Sequence, residues 1–167
     1  ASPAKETQSA EMFCYQCEQT AQGKGCTRYG VCGKDPEVAA LQDLLVHACK
    51  GTAMYAHRAR RLGFHDRDVD VFVVKALFTT VTNVNFDPQR MDAVIRKAAE
   101  MKDRARQIYE QATRKSGNLV EDLAGPARWI PAADHAGLLK QASQVSIIDE
   151  LNSDGEDIAG LKELLVY

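Results

Sequence analysis

Cys14, Cys17, Cys26 and Cys32 are spaced C-x2-C-x8-C-x5-C, four thiols in a stretch too short and too glycine-rich to be ordinary core. Thiolate is the soft ligand that iron–sulfur clusters and zinc select, and a set of cysteines with no histidine nearby favours the cluster. A zinc ribbon presents two short knuckles separated by a long insert, whereas only the first pair here is a knuckle. The larger perimeter of a cubane accepts ligands from one winding loop with wider steps. The bacterial ferredoxin run ends in Cys-Pro, and here Gly33 follows Cys32. Structural disulfides need an oxidising compartment, and Ala1 to Glu11 contains no apolar stretch of the kind a secretory signal requires. The spacing ranks an iron–sulfur cluster first, a structural zinc site second and disulfides third, with all three open.

The residues between the ligands suit a reduced cluster. Four thiolates around a cubane leave net negative charge, which Lys24, Arg28 and Lys34 lie within the loop to offset. Gly23, Gly25, Gly30 and Gly33 let backbone N–H groups turn toward sulfur, and such hydrogen bonds raise the potential. Phe13, Tyr15, Tyr29 and Val31 can shield the cluster from water. No second chemistry is legible. His47, His57, His65 and His135 are scattered, with no H-x3-H or H-E-x2-H arrangement, and no phosphate loop or Ser-His-Asp set can be assembled. Cys49 reads as a buried thiol, Met54, Met91 and Met101 read as core fillers, and Glu18 has no assigned role.

The elements that must hold this loop read as helices. Asp35-Pro36-Glu37 sets a capping carboxylate, a proline at the first helical position and an acid in the first turn. Val38, Leu41, Leu44, Leu45, Ala48, Cys49, Met54 and Tyr55 then follow helical steps, and the helix runs to Leu62 before Gly63. Arg58, Arg60 and Arg61 occupy its last turns. A second helix is predicted from Arg67 to Thr82, where the period of Val73, Leu77, Phe78 and Val81 outweighs the β-branched density. Asp87-Pro88 starts a third, whose face of Met91, Val94, Ile95, Ala98, Met101, Ala105, Ile108 and Ala112 reaches about Lys115. Ser116 to Pro131 reads as a long loop pinned by Trp129, followed by a shorter helix from Ala133 to about Val145. The fold class expected is all-α: a three-helix, spectrin-like bundle preceded by an N-terminal cysteine-rich cluster-binding loop.

Composition narrows the function. A chain of 167 residues can bury roughly 70% of the surface of its unfolded form. A net charge of −2, with both signs mixed along the chain, offers no broad basic face for nucleic acid. No apolar run approaches the ~20 residues of a membrane span, since Val71 to Val81 is interrupted by Lys75.

Met12-Phe13-Cys14-Tyr15-Gln16-Cys17-Glu18-Gln19-Thr20-Ala21, Gly25-Cys26-Thr27, Gly30-Val31-Cys32-Gly33-Lys34 and Leu41-Gln42-Asp43-Leu44-Leu45 resemble the N-terminus of the hybrid cluster protein family, the prismane proteins or hydroxylamine reductases. The likeness continues through Gly51, Tyr55 and the segment Ala76-Leu77-Phe78-Thr79-Thr80-Val81-Thr82-Asn83-Val84-Asn85-Phe86. It implies the branch with a [4Fe–4S] cluster on Cys14, Cys17, Cys26 and Cys32, fed by an electron donor protein in the cytoplasm. It also implies that the catalytic hybrid 4Fe-2S-2O cluster, and with it hydroxylamine or nitric oxide reduction, belongs to residues downstream of this chain. Beyond the four cysteines only Cys49 remains, so no catalytic residue is assigned here. The partners expected are the donor and the remainder of a hybrid cluster protein, with no nucleic acid and no membrane. The alternatives are a stand-alone or engineered [4Fe–4S] electron-transfer module and, ranked lower, a zinc-stabilised interaction domain.

Three divisions follow. Residues 1–11 read as a disordered tag or extension, since they are polar and Met12 stands where the family's chains begin; 12–34 form the iron–sulfur cluster loop; 35–167 form the helical bundle. The stretch Glu37–His47 aligns without gaps with Asp157–Tyr167, sharing alanine, three leucines and valine at matching places. A second bundle repeat is therefore expected to start near residue 156 and to be cut off in mid-helix, as in a fragment or truncation.

Overall fold

Asp35 begins the first helix as its sequence neighbours require: its carboxylate accepts from the Val38 N–H at 2.7 Å, and proline follows at the first helical position. In the computed structural model, which describes residues 11–81 and 86–167, this helix, α1, spans Pro36–Arg61. Gly63, at φ +85°, ends it in a left-handed turn that L side chains disfavour. Helix α2 spans Arg67–Val81 and α3 spans Pro88–Lys115, with Asp87 capping the N–H groups of Gln89 and Arg90. The three long helices come out within a residue of expectation. The expected end of α2 at Thr82, the resembling stretch 82–85 and residues 1–10 of the tail lie outside the described residues.

Helices α1 and α3 form the central pair. Leu41, Leu44, Leu45, Ala48 and Cys49 meet Met91, Ile95 and Ala98 in one core, completed by Ala76 of α2 and by Leu138 and Ala142. A second cluster at the other end joins Tyr55, Ala59, Val69, Ala105, Tyr109, Leu123 and Ala127. Met91 is fully buried and Met54 and Met101 pack against the second cluster, as fillers should.

One residue of the α2 period stands outside the core. The residues α2 buries fully are Val69, Ala76 and Thr80, with Phe72 and Leu77 against the core, while Phe78 is 64% exposed. The helix rests on its neighbours through its smaller side chains. Phe78 stands two residues, about 200°, round from Ala76 at 100° per residue.

The loop 116–134 runs back along α1 and α3 through one short helical turn, Gly125–Arg128. It approaches α1 at Gly51, where an added Cβ would lie 2.3 Å from the Pro126 carbonyl oxygen. Lys102, buried on α3, donates to the carbonyls of Ala127 and Trp129, so a long polar side chain on an otherwise apolar face fastens this loop. Helix α4 is His135–Ala142, shorter than expected because Asp134 caps its start, accepting from the Gly137 N–H at 2.8 Å, and Ser143 closes its end. His135 bridges α4 to Asp92 of α3 at 2.9 Å and Glu37 of α1 at 3.3 Å, and the Asp92 hydrogen bond holds its pKa above the usual histidine value.

Two further helices follow, α5 at Ile147–Asp154 and α6 at Glu156–Val166, separated by Gly155 at φ +82°. The first of these has no counterpart in the sequence reading. Among the described residues no helix is long and apolar enough to cross a membrane, and the one extended pairing is a single antiparallel bridge between Cys14 and Cys26.

Candidate cluster-binding site

Residues 12–34 fold over the N-terminal half of α1. Cys14 and Cys26 face each other across the antiparallel bridge and exchange both backbone hydrogen bonds, at 3.1 and 2.8 Å. Met12 and Cys26 are buried against Ala39 of α1, which seats the bridge on the bundle. The chain then reverses twice. Thr20 N–H donates to the Cys17 carbonyl at 3.1 Å, opening the turn Ala21–Gly23. Gly33 N–H donates to the Gly30 carbonyl at 2.8 Å, with Gly33 at φ +96°. Two glycines sit where a side chain would be crowded: a Cβ on Gly25 would lie 2.5 Å from the Phe13 ring, and one on Gly30 would lie 3.0 Å from Cys32 Sγ.

The four predicted ligands thus lie on one loop, with Cys14 and Cys26 adjacent and Cys17 and Cys32 on separate turns. All are free thiols. Among the described residues, no three His, Cys, Asp or Glu side chains come close enough to share one metal ion. Cys49 is apart from them, buried in the α1 core, where burial pushes its thiol up to about 12. It is inert packing, as its sequence position suggested.

The expected cations divide. Lys24 and Arg28 are exposed, but Lys34 is 4% exposed. Its Nζ lies 3.5 Å from Cys14 Sγ, donates to Gln16 Oε1 at 3.5 Å and to the Thr80 carbonyl at 3.4 Å. The expected shield divides too. Phe13 and Tyr15 are partly buried and pack ring to ring at 5.3 Å, whereas Tyr29 and Val31 are 58% and 62% exposed. The Gly30–Gly33 turn points those two outward.

A polar cavity of about 270 Å³ opens beside the loop, walled by Cys14, Tyr15 and Lys34 on one side and by Gln42, Asp43 and Glu163 on the other. Its surroundings hold buried polar atoms with no protein partner: the Tyr15 hydroxyl, both amide atoms of Gln42 and Glu150 Oε2. Burial raises Asp43 to about 7, against the opposing hydrogen bond from the Ile147 N–H. Burial likewise raises Glu163 above, and lowers His47 below, their ordinary values. Tyr167 ties two of the cavity's lining residues together: its hydroxyl lies 2.5 Å from Thr80 Oγ1 and accepts from Gln16 Nε2 at 2.9 Å. Gln42, Asp43, Thr80 and Tyr167 carry no ligand-type signal in sequence. Only the gapless match of 37–47 with 157–167 pairs Asp43 with Glu163 and His47 with Tyr167 in advance.

The donor set suits a cluster in its chemistry: four thiols, a glycine, Gly30, where the backbone passes close to Cys32 Sγ, and one buried cation at Cys14. A cubane takes one thiolate on each iron, so its ligands need not meet at a single ion, as the four ligands of a zinc site must.

The chain matches known proteins over the same span. The model of the Prismane/CO dehydrogenase family matches residues 12–167. A hydroxylamine reductase of Rhodospirillum rubrum is 50% identical over 156 residues, covering 93% of this chain and 28% of the relative. Hydroxylamine reductases of Burkholderia lata and Geobacter sulfurreducens are 50% and 46% identical, again over 93% of this chain and 29% and 28% of their own lengths. The chain spans under a third of the length of these curated relatives, a share consistent with the N-terminal portion that the cysteine motif resembles. It belongs to the Prismane/CO dehydrogenase family.

Proposed function

We propose that this chain is the N-terminal electron-transfer portion of a hydroxylamine reductase of the hybrid cluster type, and that Cys14, Cys17, Cys26 and Cys32 hold a [4Fe–4S] cluster. The observation that carries the reading is the loop itself. Four free thiols in a spacing resembling the cluster-binding motif lie on one loop, and the Nζ of a buried lysine on that loop, Lys34, reaches Cys14 Sγ. The family relationship supports it, as do relatives named for reduction of hydroxylamine.

When bound, the cluster supplies a one-electron carrier. The chain's own residues do the rest. Met12 and Cys26 anchor the loop on α1, Phe13 and Tyr15 limit water at Cys14, and Lys34 sets a positive charge against the thiolates. No substrate-binding residue is assigned, and the reductase centre belongs to the rest of the relatives' length. The donor is a soluble redox protein of the cytoplasm. The exposed side of α6, with Ile158, Leu161, Leu164 and Leu165, is apolar and open, which supports the reading that a second helical bundle begins there.

Anaerobic iron and acid-labile sulfide analysis tests the reading. About four irons with matching sulfide are expected for this chain, and Cys14→Ser should lose iron and the absorbance that bleaches on reduction. One zinc and no iron overturns it, as does a Cys14→Ser protein with unchanged iron content.

A further inference from the structure

Lys34 is a buried cation without a carboxylate. It is 4% exposed, and among the described residues no Asp or Glu lies within ion-pair distance of its Nζ. Asp43 senses it across the cavity but forms no contact with it. Its neighbours are two carbonyl-type oxygens, Gln16 Oε1 and Thr80 O, and one sulfur, Cys14 Sγ. Buried ammonium groups are retained where an opposite charge or a full set of acceptors compensates their lost hydration. Two neutral oxygens at 3.4 and 3.5 Å are long for ammonium hydrogen bonds. The remaining neighbour is the sulfur.

The position of Nζ is set from three parts of the fold. Gln16 belongs to the cluster loop, Thr80 to the last turn of α2, and Tyr167 follows α6 and bonds both of them. The Lys34 backbone is fixed as well, since its carbonyl accepts from the Gly30 N–H at 2.7 Å. A lysine stem locked at both ends presents a fixed charge, unlike exposed Lys24 and Arg28, whose fields water screens.

We infer that Lys34 is the resident counter-charge of the cluster, a positioning residue whose ammonium, held by Gln16 and Thr80, stabilises the cluster and most of all its one-electron-reduced form. The inference rests on the cluster reading above. Reduction adds one negative charge, delivered by the donor, with no bond made or broken in the chain. A fixed positive charge at one ligand favours the more negative state, so it raises the potential; net charge and hydrogen bonds at sulfur are the established controls of cluster potential.

The test compares Lys34→Gln and Lys34→Arg in the protein purified anaerobically with its clusters, reading the midpoint potential by redox titration of the reduced-cluster spin signal. Lys34→Gln should shift the equilibrium toward the oxidised state by tenfold or more, about 59 mV lower for a one-electron couple. Lys34→Arg should stay within threefold of the parent. A Lys34→Gln protein that folds but holds no cluster, beside a fully loaded Lys34→Arg, also supports the inference, because the two differ in charge at that point. An unshifted potential in a fully loaded Lys34→Gln overturns it, and so does equal loss of the cluster in both variants. Absence of iron in the parent protein is a separate outcome: it sinks the cluster reading itself, whatever Lys34 does.

Discussion

Residues 37–47 at the start of α1 and 157–167 spanning most of α6 carry nearly the same pattern, yet they are used differently. In α1 the apolar positions Val38, Leu41, Leu44 and Leu45 are each 0% exposed, whereas their counterparts Ile158, Leu161, Leu164 and Leu165 are 53–86% exposed. The smaller face behaves alike in both. Ala39 and Ala159 are buried, and Asp43 and Glu163 line the same polar cavity. The pattern makes a helix in either place, but burial comes from what stands opposite. Helix α1 has α3 against its leucine face, while α6 meets the cavity and the cluster loop with its polar side. The two copies therefore present matching faces to one cavity, and α1 alone has a second face in a core.

Truncating matched leucines gives the largest break in this comparison. Leu44→Ala removes a fully buried side chain from the central core and should cost about 3–5 kcal/mol. Leu164→Ala removes one that is 74% exposed, and should stay within about 0.5 kcal/mol in this chain. Guanidinium unfolding followed by helical circular dichroism measures both. Equal losses would mean that the leucine face of α6 is covered after all.

The matched acids come next. Asp43 is raised to about 7 from 3.8 because it is buried, so the folded state binds its proton more tightly than the unfolded chain does. The sign follows from that: little is lost below about pH 4, stability falls as pH rises through the window from 4 to 7, and the full cost is present above 7. Allowing for the solvent that reaches the cavity, the cost is on the order of 3 kcal/mol. Asp43→Asn keeps an oxygen for the Ile147 N–H and should be more stable than the parent at pH 8 and equal to it near pH 4. Glu163→Gln should move the Asp43 step to lower pH, since the Glu163 charge helps raise Asp43. A flat difference between parent and Asp43→Asn across pH 4–8 would show that the cavity does not penalise the carboxylate.

What could be read in advance follows the range of the forces. Asp35-Pro36 and Asp87-Pro88 start helices by bonds within one turn, and both starts fall where the residues put them. Helix α5 was missed because Ile147–Asp154 is two turns long, too short for its few apolar residues to show a period, although Ser146 caps it by accepting from the Ile148 N–H. On α2 the period of Val73, Leu77, Phe78 and Val81 gave the helix but not its contacts: Leu77 packs on the core while Phe78 is exposed, because close approach selects the small Ala76 and Thr80. The cysteine loop was legible as a unit through its spacing. Its supports were not, since Thr80 and Tyr167 lie 46 and 133 residues beyond Lys34, and only when α2 and α6 are folded does Thr80 reach Lys34 and Tyr167 reach Gln16 and Thr80. The shielding role expected of Tyr29 and Val31 failed for a related reason: adjacency in sequence does not say which way a glycine turn faces.

The smallest effect concerns the last matched pair, His47 and Tyr167. Burial raises the Tyr167 hydroxyl to about 12, so it is protonated throughout the physiological range and serves purely as a hydrogen-bonding group between Thr80 and Gln16. Tyr167→Phe keeps the ring and deletes that bridge, while Thr80 retains its own bond to the Leu77 carbonyl at 2.8 Å. The cost should be about 1 kcal/mol. It should also be local, because the α1–α3 core takes no part. Amide exchange in α6 should quicken about fivefold, with exchange in α1 and α3 unchanged. Exchange that quickens equally in all three helices would mean that α6 opens with the bundle as one unit; an unchanged α6 would mean that Ala159 and Glu163, and not the phenol, hold it to the cavity wall.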